Sequence, residues 1–342
     1  MMDIPLSLTR ILEYGASVHG STTVTTWHGE GTGSEFDPAE EVTFRDIAAR
    51  AAAFAHAIHD DLGITGDERV GSFMWNCAEH LEVMFGTACK GAIFAPLNKQ
   101  LMNDQIRHII NHAEISAIVC DPRLAQQLGK VLVGTDSVKS VIITGAQPAQ
   151  QFAHLFPRGI EVYSYEALID GRSTVYDWPE LDERTAAALC YSTGTTGAPK
   201  GVLYSHRSLY LEAMQLRSSD SLCITHGETF LCCIPICHVL SWGVPFTCFM
   251  TGTPLVLPDA DVSAPTLAKA IAATSPRVAH GVPTIWIQLF VHYMHHPPER
   301  MTLTEIYAGG SPVPPTLIKM WEERYGVDVV HVWGMVETLS LI

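Results

Sequence analysis

The chain has 342 residues, of which 47% are hydrophobic and 17% are charged, and it contains 26 Gly and 20 Pro. This composition is typical of a globular protein with a substantial core, and it excludes a collagen-like, coiled-coil or disordered chain. Asp and Glu outnumber Lys and Arg by 36 to 21, which gives a net charge of −15 with His neutral. So acidic a chain argues against nucleic-acid binding, because neutralising phosphates requires clustered Lys and Arg.

Cysteine usage and hydropathy indicate the compartment. Nine Cys without a C-x-x-C pair, together with the lack of a secretory leader, predict reduced thiols in a cytoplasmic protein. Residues 229–258 contain no Asp, Glu, Lys or Arg, but three prolines interrupt them. We therefore expect buried strand, loop and helix there and no transmembrane segment. The sequence is compatible with peripheral attachment to a membrane and with a homodimer.

In the first half of the chain, helical and strand patterns alternate. A capping-box pattern at residues 43–46 predicts a helix that ends at Leu62, before Gly63. Short apolar runs without strict alternation follow, as expected for parallel strands that are buried on both faces. The predicted strands are 69–74, 92–96, 115–120 and 138–144, and the predicted helices between them are 77–90 and 104–112.

The second half resumes this rhythm after residues 147–182, whose Pro and Gly content predicts a join between two subdomains. Strands are predicted at 186–191 and 328–332, and helices at 208–216, 266–273, 285–293 and 315–325. The alternation predicts an α/β fold with two parallel-sheet subdomains and flanking helices, residues 1–180 and residues 181–342.

The strongest functional motif directly follows the strand predicted at 186–191. Residues 191–201 read YSTGTTGAPKG, with three Gly, the hydroxyls of one Ser and three Thr, and one Lys. Glycine lets phosphate oxygens approach backbone N–H groups, while the hydroxyls and Lys200 add donors and a charge. This pattern predicts a phosphate-binding loop, and the alternative is a flexible Gly/Thr turn. It is not a Walker A motif, because Ala198 and Pro199 separate the second Gly from the Lys.

This run resembles the phosphate-loop signature of the adenylate-forming superfamily. Three further segments resemble motifs of that family in the same order, namely PICHVLSWG at 235–243, AGGSP at 308–312 and WGMVET at 333–338. The His and the Trp-Gly pair of the first segment are similar to those of medium- and long-chain fatty acyl-CoA ligases. The resemblance covers nearly the whole chain and implies the large N-terminal domain of such an enzyme.

The resemblance implies that ATP activates a fatty acid to acyl-AMP with release of pyrophosphate, and that CoA then accepts the acyl group. ATP, Mg²⁺ and CoA are the implied cofactors and cosubstrate. The implied catalytic residues are Lys200, Thr195, His238 and Glu337, with Glu337 also holding the metal, and His238 and Trp242 lie on the acyl side. The implied nucleotide-binding residues are Thr193, Gly194, Thr196, Gly197, Gly310, Ser311, Pro312, Trp333, Gly334 and Thr338.

Two departures from the family pattern leave alternatives open. Val336 stands where the family usually has a Thr that contacts phosphate, and the chain ends at Ile342, before the family's mobile C-terminal domain. The alternatives are a ligase that transfers the acyl group to a carrier protein, and an inactive remnant that binds nucleotide or fatty acid. Taken alone, His238 and Trp242 are more typical of core side chains, and the alternative for Glu337 is a solvated carboxylate.

Overall fold

The computed structural model describes residues 3–29, 39–193 and 197–339. Contacts among residues divide the chain into two compact units. The first unit comprises Met1–Glu13, Arg45–Trp75 and Glu79–Leu211, and the second comprises Tyr14–Phe44, Asn76–Ala78 and Glu212–Ile342. The chain therefore passes from one unit to the other after residues 13, 44, 75, 78 and 211, and not once near residue 180.

Proline and glycine mark the ends of several helices. Helices α9 to α12 each have Pro in their first two positions, where the missing N–H costs no intrahelical hydrogen bond. Gly252 and Gly326 end α9 and α12 in the left-handed conformation that glycine adopts without strain. The helices are α1 Leu8–Val18, α2 Phe44–Asp60, α3 Ala78–Lys90, α4 Asn103–Ala113, α5 Ala125–Leu132, α6 Tyr165–Ile169, α7 His206–Leu216, α8 Val239–Trp242, α9 Val244–Thr251, α10 Ala264–Thr274, α11 Pro283–His295 and α12 Pro315–Tyr325.

The strands are short, and most of their side chains are buried. They are β1 Thr23–Trp27, β2 Ala39–Thr43, β3 Arg69–Phe73, β4 Ile93–Pro96, β5 Ile115–Cys120, β6 Ser140–Ile143, β7 Glu161–Ser164, β8 Ala186–Tyr191, β9 Gly201–Ser205, β10 Phe230–Cys232, β11 Leu255–Pro258, β12 Val278–Gly281, β13 Glu305–Ala308 and β14 Asp328–His331. Strands such as β4 and β11, in which every residue is buried, belong to sheets that are covered on both faces.

The first unit contains a seven-stranded sheet in the order β7-β6-β5-β3-β4-β8-β9. All neighbouring strands in this sheet are parallel except β8 and β9, which form an antiparallel pair at one edge. Side chains of α4 and α5, among them Ile106, Ile110 and Leu128, share one buried apolar cluster with Ile118 and Val141 of the strands. This cluster anchors the sheet that carries the segment after β8.

The second unit contains a seven-stranded sheet in the order β14-β13-β12-β10-β11-β1-β2. Its strands are parallel except for the antiparallel pair of β1 and β2. Trp286 and Tyr293 of α11 pack with Trp321 of α12 and Ile306 of β13 in its core. Because these strands are parallel, the segments that follow β10, β12, β13 and β14 leave the same edge of the sheet.

The α/β class with two largely parallel sheets and flanking helices is confirmed. The antiparallel edge strand of each sheet is an addition that the sequence did not predict. Residues 229–258 form β10, α8, α9 and β11, as expected for a charge-free core segment. Within the described ranges, no helix is both long enough and apolar enough to cross a membrane.

The predicted join at residues 147–182 is wrong. Strand β7 in this stretch pairs with β6 in parallel, so it extends the first sheet. The α6 residue Glu166 binds Arg50 of α2 in the same unit at 2.7 Å. The Pro and Gly residues of the stretch therefore mark turns within one unit and not a linker.

The phosphate-loop segment also lies elsewhere than predicted. We expected it in a second subdomain that starts at residue 181, but β8 pairs with β4 and β9 pairs with β8. Both strands that flank the loop therefore belong to the sheet of the first unit. Conversely, β1 and β2 from the beginning of the chain complete the sheet of the second unit.

Candidate functional site

The glycine- and hydroxyl-rich segment after β8 is the loop of an antiparallel hairpin. Tyr191 at the end of β8 pairs with Gly201 at the start of β9. The N–H of Ser192 donates to the carbonyl of Lys200 at 3.0 Å, and the N–H of Lys200 donates to Ser192 Oγ at 3.1 Å. Ser192 thus closes the base of the loop with both its backbone and its side chain, which the sequence did not reveal.

The described part of this loop is open to solvent. Thr193, Gly197 and Lys200 are exposed, whereas Pro199 is buried. A Cβ atom added at Gly197 would meet no atom within 4 Å. Backbone and side-chain donors at these positions are accessible, as binding of a phosphate chain requires. Three other residues predicted for this loop lie outside the described residues, namely Gly194, Thr195 and Thr196.

Tyr191 fixes the hairpin to the first unit. Its hydroxyl lies 2.7 Å from Nδ1 of His112 in α4. A Cβ atom at Gly201 would lie 3.0 Å from Cζ of the tyrosine ring, so a larger residue would have to displace that ring. The last glycine of the motif therefore serves the packing of Tyr191, and His112 is a supporting residue that no sequence pattern indicated.

In the second unit, the other three motifs all follow strands of the parallel sheet. Residues 235–243 come after β10, residues 308–312 cover the end of β13, and residues 333–338 come after β14. These three segments therefore lie at the carboxyl ends of strands. The carboxyl edge of parallel strands is where α/β proteins usually bind ligands.

Gly309 brings two of these motifs together. Its N–H donates to the carbonyl of Gly281 at 3.2 Å. A Cβ atom at Gly309 would lie 2.7 Å from the carbonyl oxygen of Val332 and 3.1 Å from Cη2 of Trp242. Only glycine leaves room for both neighbours. The indole predicted for the acyl side therefore lies against the loop predicted for adenine, whose Gly310 has a φ of 80°.

The segment that carries Trp242 has an unusual backbone. Four consecutive residues without a glycine, 239–242, have positive φ values of 42, 46, 57 and 56°, and Gly243 follows with 71°. The short helix α8 is therefore a left-handed turn, which costs about 1–2 kcal/mol for each L-residue. His238 is half-buried at its start, and Trp242 is buried at its end.

The last motif is a surface turn. Trp333 is 53% exposed, in contrast to the buried tryptophans of the core. Oγ1 of Thr338 accepts the N–H of Met335 at 3.0 Å and lies 3.2 Å from the carbonyl oxygen of the same residue. The hydroxyl of Thr338 is thus engaged in the turn, while the carboxylate of Glu337 is exposed. Val336 is half-buried and offers no side-chain donor.

The carboxylate of Glu337 suits a magnesium site better than a zinc site. Among the described residues, no group of three or more His, Cys, Asp or Glu side chains is arranged to hold a metal ion. Zinc sites need three or four protein ligands. Magnesium commonly takes one or two carboxylates and completes its shell with water and substrate phosphates. A single exposed carboxylate therefore fits a magnesium ion that accompanies a nucleotide.

Two largely parallel sheets with these four motifs define an α/β protein of the adenylate-forming class. Residues 14–342 match the AMP-binding enzyme family, and the chain belongs to that family. It is 33% identical over 341 residues to a 3-methylmercaptopropionyl-CoA ligase of Ruegeria lacuscaerulensis, covering 100% of this chain and 61% of the relative. It is 32% identical over 340 residues to a medium-chain-fatty-acid–CoA ligase of Ectopseudomonas oleovorans, covering 98% and 60%.

The fold agrees with that of a solved relative. The crystal structure of a long-chain-fatty-acid-CoA ligase from Archaeoglobus fulgidus matches with a TM-score of 0.83 at 22% identity, covering 100% of this chain and 68% of that one. At this level of identity the likeness concerns the fold alone. The chain spans about 60% of the length of the curated relatives named above.

Proposed function

We propose that the whole protein is an AMP-forming acyl-CoA ligase and that this chain carries its adenylation chemistry. A carboxylate oxygen of the acid attacks the α-phosphorus of ATP, the bond to the β-phosphate bridge breaks, and pyrophosphate leaves. The acyl group of acyl-AMP then passes to the thiol of CoA with release of AMP. The observation that carries the proposal is the hairpin loop closed by Ser192, which presents Lys200 to solvent in a chain of this family.

The residues of the loop suit a reaction in which charge moves among phosphate oxygens. Such reactions are catalysed by positioning and by preorganised donors and cations. Lys200 supplies a positive charge, and Thr193 and the N–H of Gly197 supply donors. Thr195 and Thr196 would add hydroxyls, and Gly194 a further N–H. Neutralising the β- and γ-phosphates makes pyrophosphate a better leaving group.

Residues of the second unit would bind the nucleoside and the metal. The exposed indole of Trp333, together with Gly334, offers an aromatic face for adenine, and Gly310, Ser311 and Pro312 offer a close backbone edge. Glu337 would hold Mg²⁺, which screens phosphate charge when bound. The hydroxyl of Thr338 is used within its own turn, so we assign it the role of shaping that turn rather than of touching the nucleotide.

We assign the acyl side to His238 and Trp242, and the acid to the aliphatic class. Every residue of 244–250, which directly follow the turn, is buried, and none is charged. The relatives named above act on a thioether-bearing propionate and on medium-chain fatty acids, according to their names. A short or medium aliphatic acid is therefore the substrate that we propose.

Exchange of labelled pyrophosphate into ATP tests the adenylation step alone. Wild-type protein should support exchange that depends on hexanoate or 3-methylthiopropionate. Lys200→Ala should lower the exchange rate by about 100-fold, as expected for the loss of one group that stabilises transition-state charge. Lys130→Ala, which removes an exposed lysine of α5 in the same unit, should stay within about twofold of the wild type, because a surface charge outside a site contributes little.

Binding provides a second measurement that does not depend on turnover. Calorimetry with a hydrolysis-resistant acyl sulfamoyl adenosine should detect one site per chain, which Lys200→Ala weakens. Folded wild-type protein that shows neither exchange nor binding would contradict the proposed function. Formation of acyl-AMP without transfer to CoA by the whole protein would instead favour a carrier protein as the acceptor.

A further inference from the structure

The left-handed turn at 239–242 needs support from outside itself. An L-residue in this conformation is strained, and strained backbone persists only where surrounding contacts over-determine it. The internal hydrogen bonds of the turn include that of the Ser241 N–H to the carbonyl of His238 at 2.9 Å and that of the Gly243 N–H to the carbonyl of Leu240 at 3.3 Å. Contacts from outside the turn must therefore hold its backbone, and with it Trp242.

Ser241 is the residue of the turn that is anchored from outside. Its side chain is wholly buried, and its hydroxyl donates to the carbonyl of Ile234 at 2.8 Å. Sγ of Cys232 lies 2.8 Å from the same hydroxyl. Both partners belong to β10 or to the residues just after it, so the serine ties the turn to the carboxyl end of a central strand.

His280 of β12 provides the second anchor. The N–H of Ile234 points to its Nδ1 at 3.4 Å, so that nitrogen is the acceptor and Nε2 carries the proton. Nε2 lies 3.2 Å from the carbonyl oxygen of Ser241 and 3.3 Å from its hydroxyl. Burial lowers the pKa of His280 to about 4, so the imidazole is neutral at physiological pH. It can thus bind a backbone N–H with one nitrogen and donate to the turn with the other.

Asn76 fixes the segment to which both anchors attach. Its side-chain amide donates to the carbonyl of Ile234 at 2.7 Å and to that of Cys232 at 3.3 Å, and it accepts the N–H of Ile236 at 3.0 Å. These three hydrogen bonds go to the backbone of residues 232–236, at the end of β10 and just after it. The segment after β10 is therefore held on one side by an asparagine and on the other by a serine and a histidine.

The hydrogen bonds of Ser241 and His280 to the turn fix the position of the Trp242 side chain. The indole and imidazole rings meet edge to face with centroids 5.1 Å apart, and the far edge of the indole lies over Gly309. His280 is 0% exposed, so it cannot touch a substrate itself. Its contacts are to the backbone that carries the indole, to the indole and to neighbouring core groups.

We propose that Ser241 and His280 are positioning residues of the acyl side, which hold the left-handed turn and thereby set which acyl chains Trp242 admits. This inference rests on the proposed function, because it assigns the turn a role in recognising the acid. It predicts that removing either side chain changes the selection among acids while leaving the use of ATP intact.

Two variants and a matched control test the proposal. His280→Leu and Ser241→Ala each remove one anchor. The matched control is His206→Leu, which removes a wholly buried imidazole whose Nδ1 accepts the backbone N–H of Leu8 at 3.2 Å. It is a comparable loss of a buried imidazole, but from the first unit, whereas the turn and its anchors belong to the second.

Two readouts separate positioning from general destabilisation. In protein labelled with 5-fluorotryptophan, the ¹⁹F signal assigned by Trp242→Phe should shift in His280→Leu and Ser241→Ala and stay in place in His206→Leu. In pyrophosphate exchange, both variants should raise KM for hexanoate at least tenfold or change the octanoate-to-butanoate ratio of kcat/KM at least tenfold. KM for ATP should stay within twofold. His280→Gln, which keeps an N–H donor, should restore most of the difference.

An unchanged Trp242 signal and unchanged acid selection in folded His280→Leu and Ser241→Ala would overturn the inference. If His280→Leu does not fold, Ser241→Ala alone decides, because it removes only one oxygen atom. Folded wild-type protein with neither exchange activity nor binding of the acyl sulfamoyl adenosine would refute the proposed function, and the role in acid selection with it. The ¹⁹F signal would then still show whether these residues hold the turn.

Discussion

Glu212 shows how a single buried side chain affects the whole stability profile. It is 2% exposed, and neither carboxyl oxygen has a hydrogen-bond partner among the described residues. The carboxyl packs against Gly243, where an added Cβ atom would lie 2.7 Å from Cδ. Burial raises the pKa of Glu212 from 4.5 to about 8, because an ionised carboxylate loses its hydration there.

The raised pKa predicts a stability that declines with pH. Below pH 4.5 the carboxyl is protonated in the folded and unfolded states alike, and its favourable contribution is complete. As the pH rises toward 8, the unfolded chain ionises first, so the free energy of unfolding falls until the folded form ionises too. Glu212→Gln removes this titration. We expect it to match the wild type closely at pH 4.5 and to be about 4 kcal/mol more stable at pH 8.

Urea unfolding at pH 4.5 and pH 8 measures this difference. Glu82→Gln is the control, since Glu82 is buried to the same degree but binds Arg50 Nε and the hydroxyl of Tyr165, each at 2.8 Å. Replacing it should destabilise the protein, because the half-buried guanidinium of Arg50 loses one of its two carboxylate partners and keeps Glu166. An equal stability difference between wild type and Glu212→Gln at both pH values would contradict the prediction.

The supporting residues that the sequence did not reveal escaped prediction for one physical reason. His280, Ser241 and Asn76 are far apart in the chain and form no spaced pattern, so nothing distinguishes them from ordinary core residues. The bonds of His280 to the turn arise only when β10 and β12 pair in the sheet, and those of Asn76 join residues more than 150 positions apart. In contrast, Gly197 and Lys200 belong to one local motif whose composition already indicates its chemistry. Motif reasoning finds side chains that face a ligand more readily than those that support them.

At the scale of elements, the hairpin around the phosphate loop makes a prediction about Ser192. Ser192→Ala removes the acceptor for the N–H of Lys200 but keeps the backbone bond in the opposite direction. We expect ATP affinity to fall about fivefold, equivalent to a hydrogen bond of about 1 kcal/mol, because the loop base loosens. Calorimetric titration with ATP measures the change, and thermal unfolding should show little loss of stability.

Ser205→Ala provides the matched comparison for this hairpin. The hydroxyl of Ser205 also accepts one backbone N–H at 3.1 Å, that of Ser208 in the first turn of α7. Its loss should cost about 1 kcal/mol of stability, as for other helix caps, without changing ATP affinity. If the two variants bind ATP equally well, the hairpin base does not control the loop.

Elements with strong local signals were predicted with the observed bounds. Strand β8 is a short apolar run, and α12 begins at Pro315 and ends before Gly326, so both follow from local sequence. The left-handed turn α8 could not be predicted, because its residues Val, Leu, Ser and Trp have no preference for positive φ. Tertiary hydrogen bonds to Ser241 override that local preference.

The strand order of the two sheets could not be predicted from a single division of the chain at residue 180. An interruption rich in Pro and Gly predicted two consecutive subdomains, but the second sheet draws strands from both ends of the chain and the first sheet continues past residue 180 to β9. Strand β1 is inserted between β11 and β2 in the second sheet, with Val24 opposite Leu255. Strand pairing between distant segments depends on register and burial that no local window contains.

This topology predicts that residues 181–342 do not fold by themselves. Without residues 1–180, the fragment lacks β1 and β2. The buried strand β11 then pairs with β10 on one side only, and its other side becomes an open sheet edge. It also carries the hairpin of β8 and β9 without β4, the strand with which β8 pairs in the first sheet. Unpaired backbone groups and exposed apolar surface at both places favour aggregation over a cooperative native state.

Comparison of the intact chain with its pieces measures this dependence. We expect the intact chain to unfold cooperatively in urea and fragment 181–342 alone to show neither a cooperative transition nor dispersed amide signals. Coexpression with residues 1–180 should restore both, because the missing strands can then pair across the break. A fragment 181–342 that unfolds cooperatively by itself would mean that the second sheet closes without β1, and that the long-range pairing of Val24 with Leu255 contributes little to the fold.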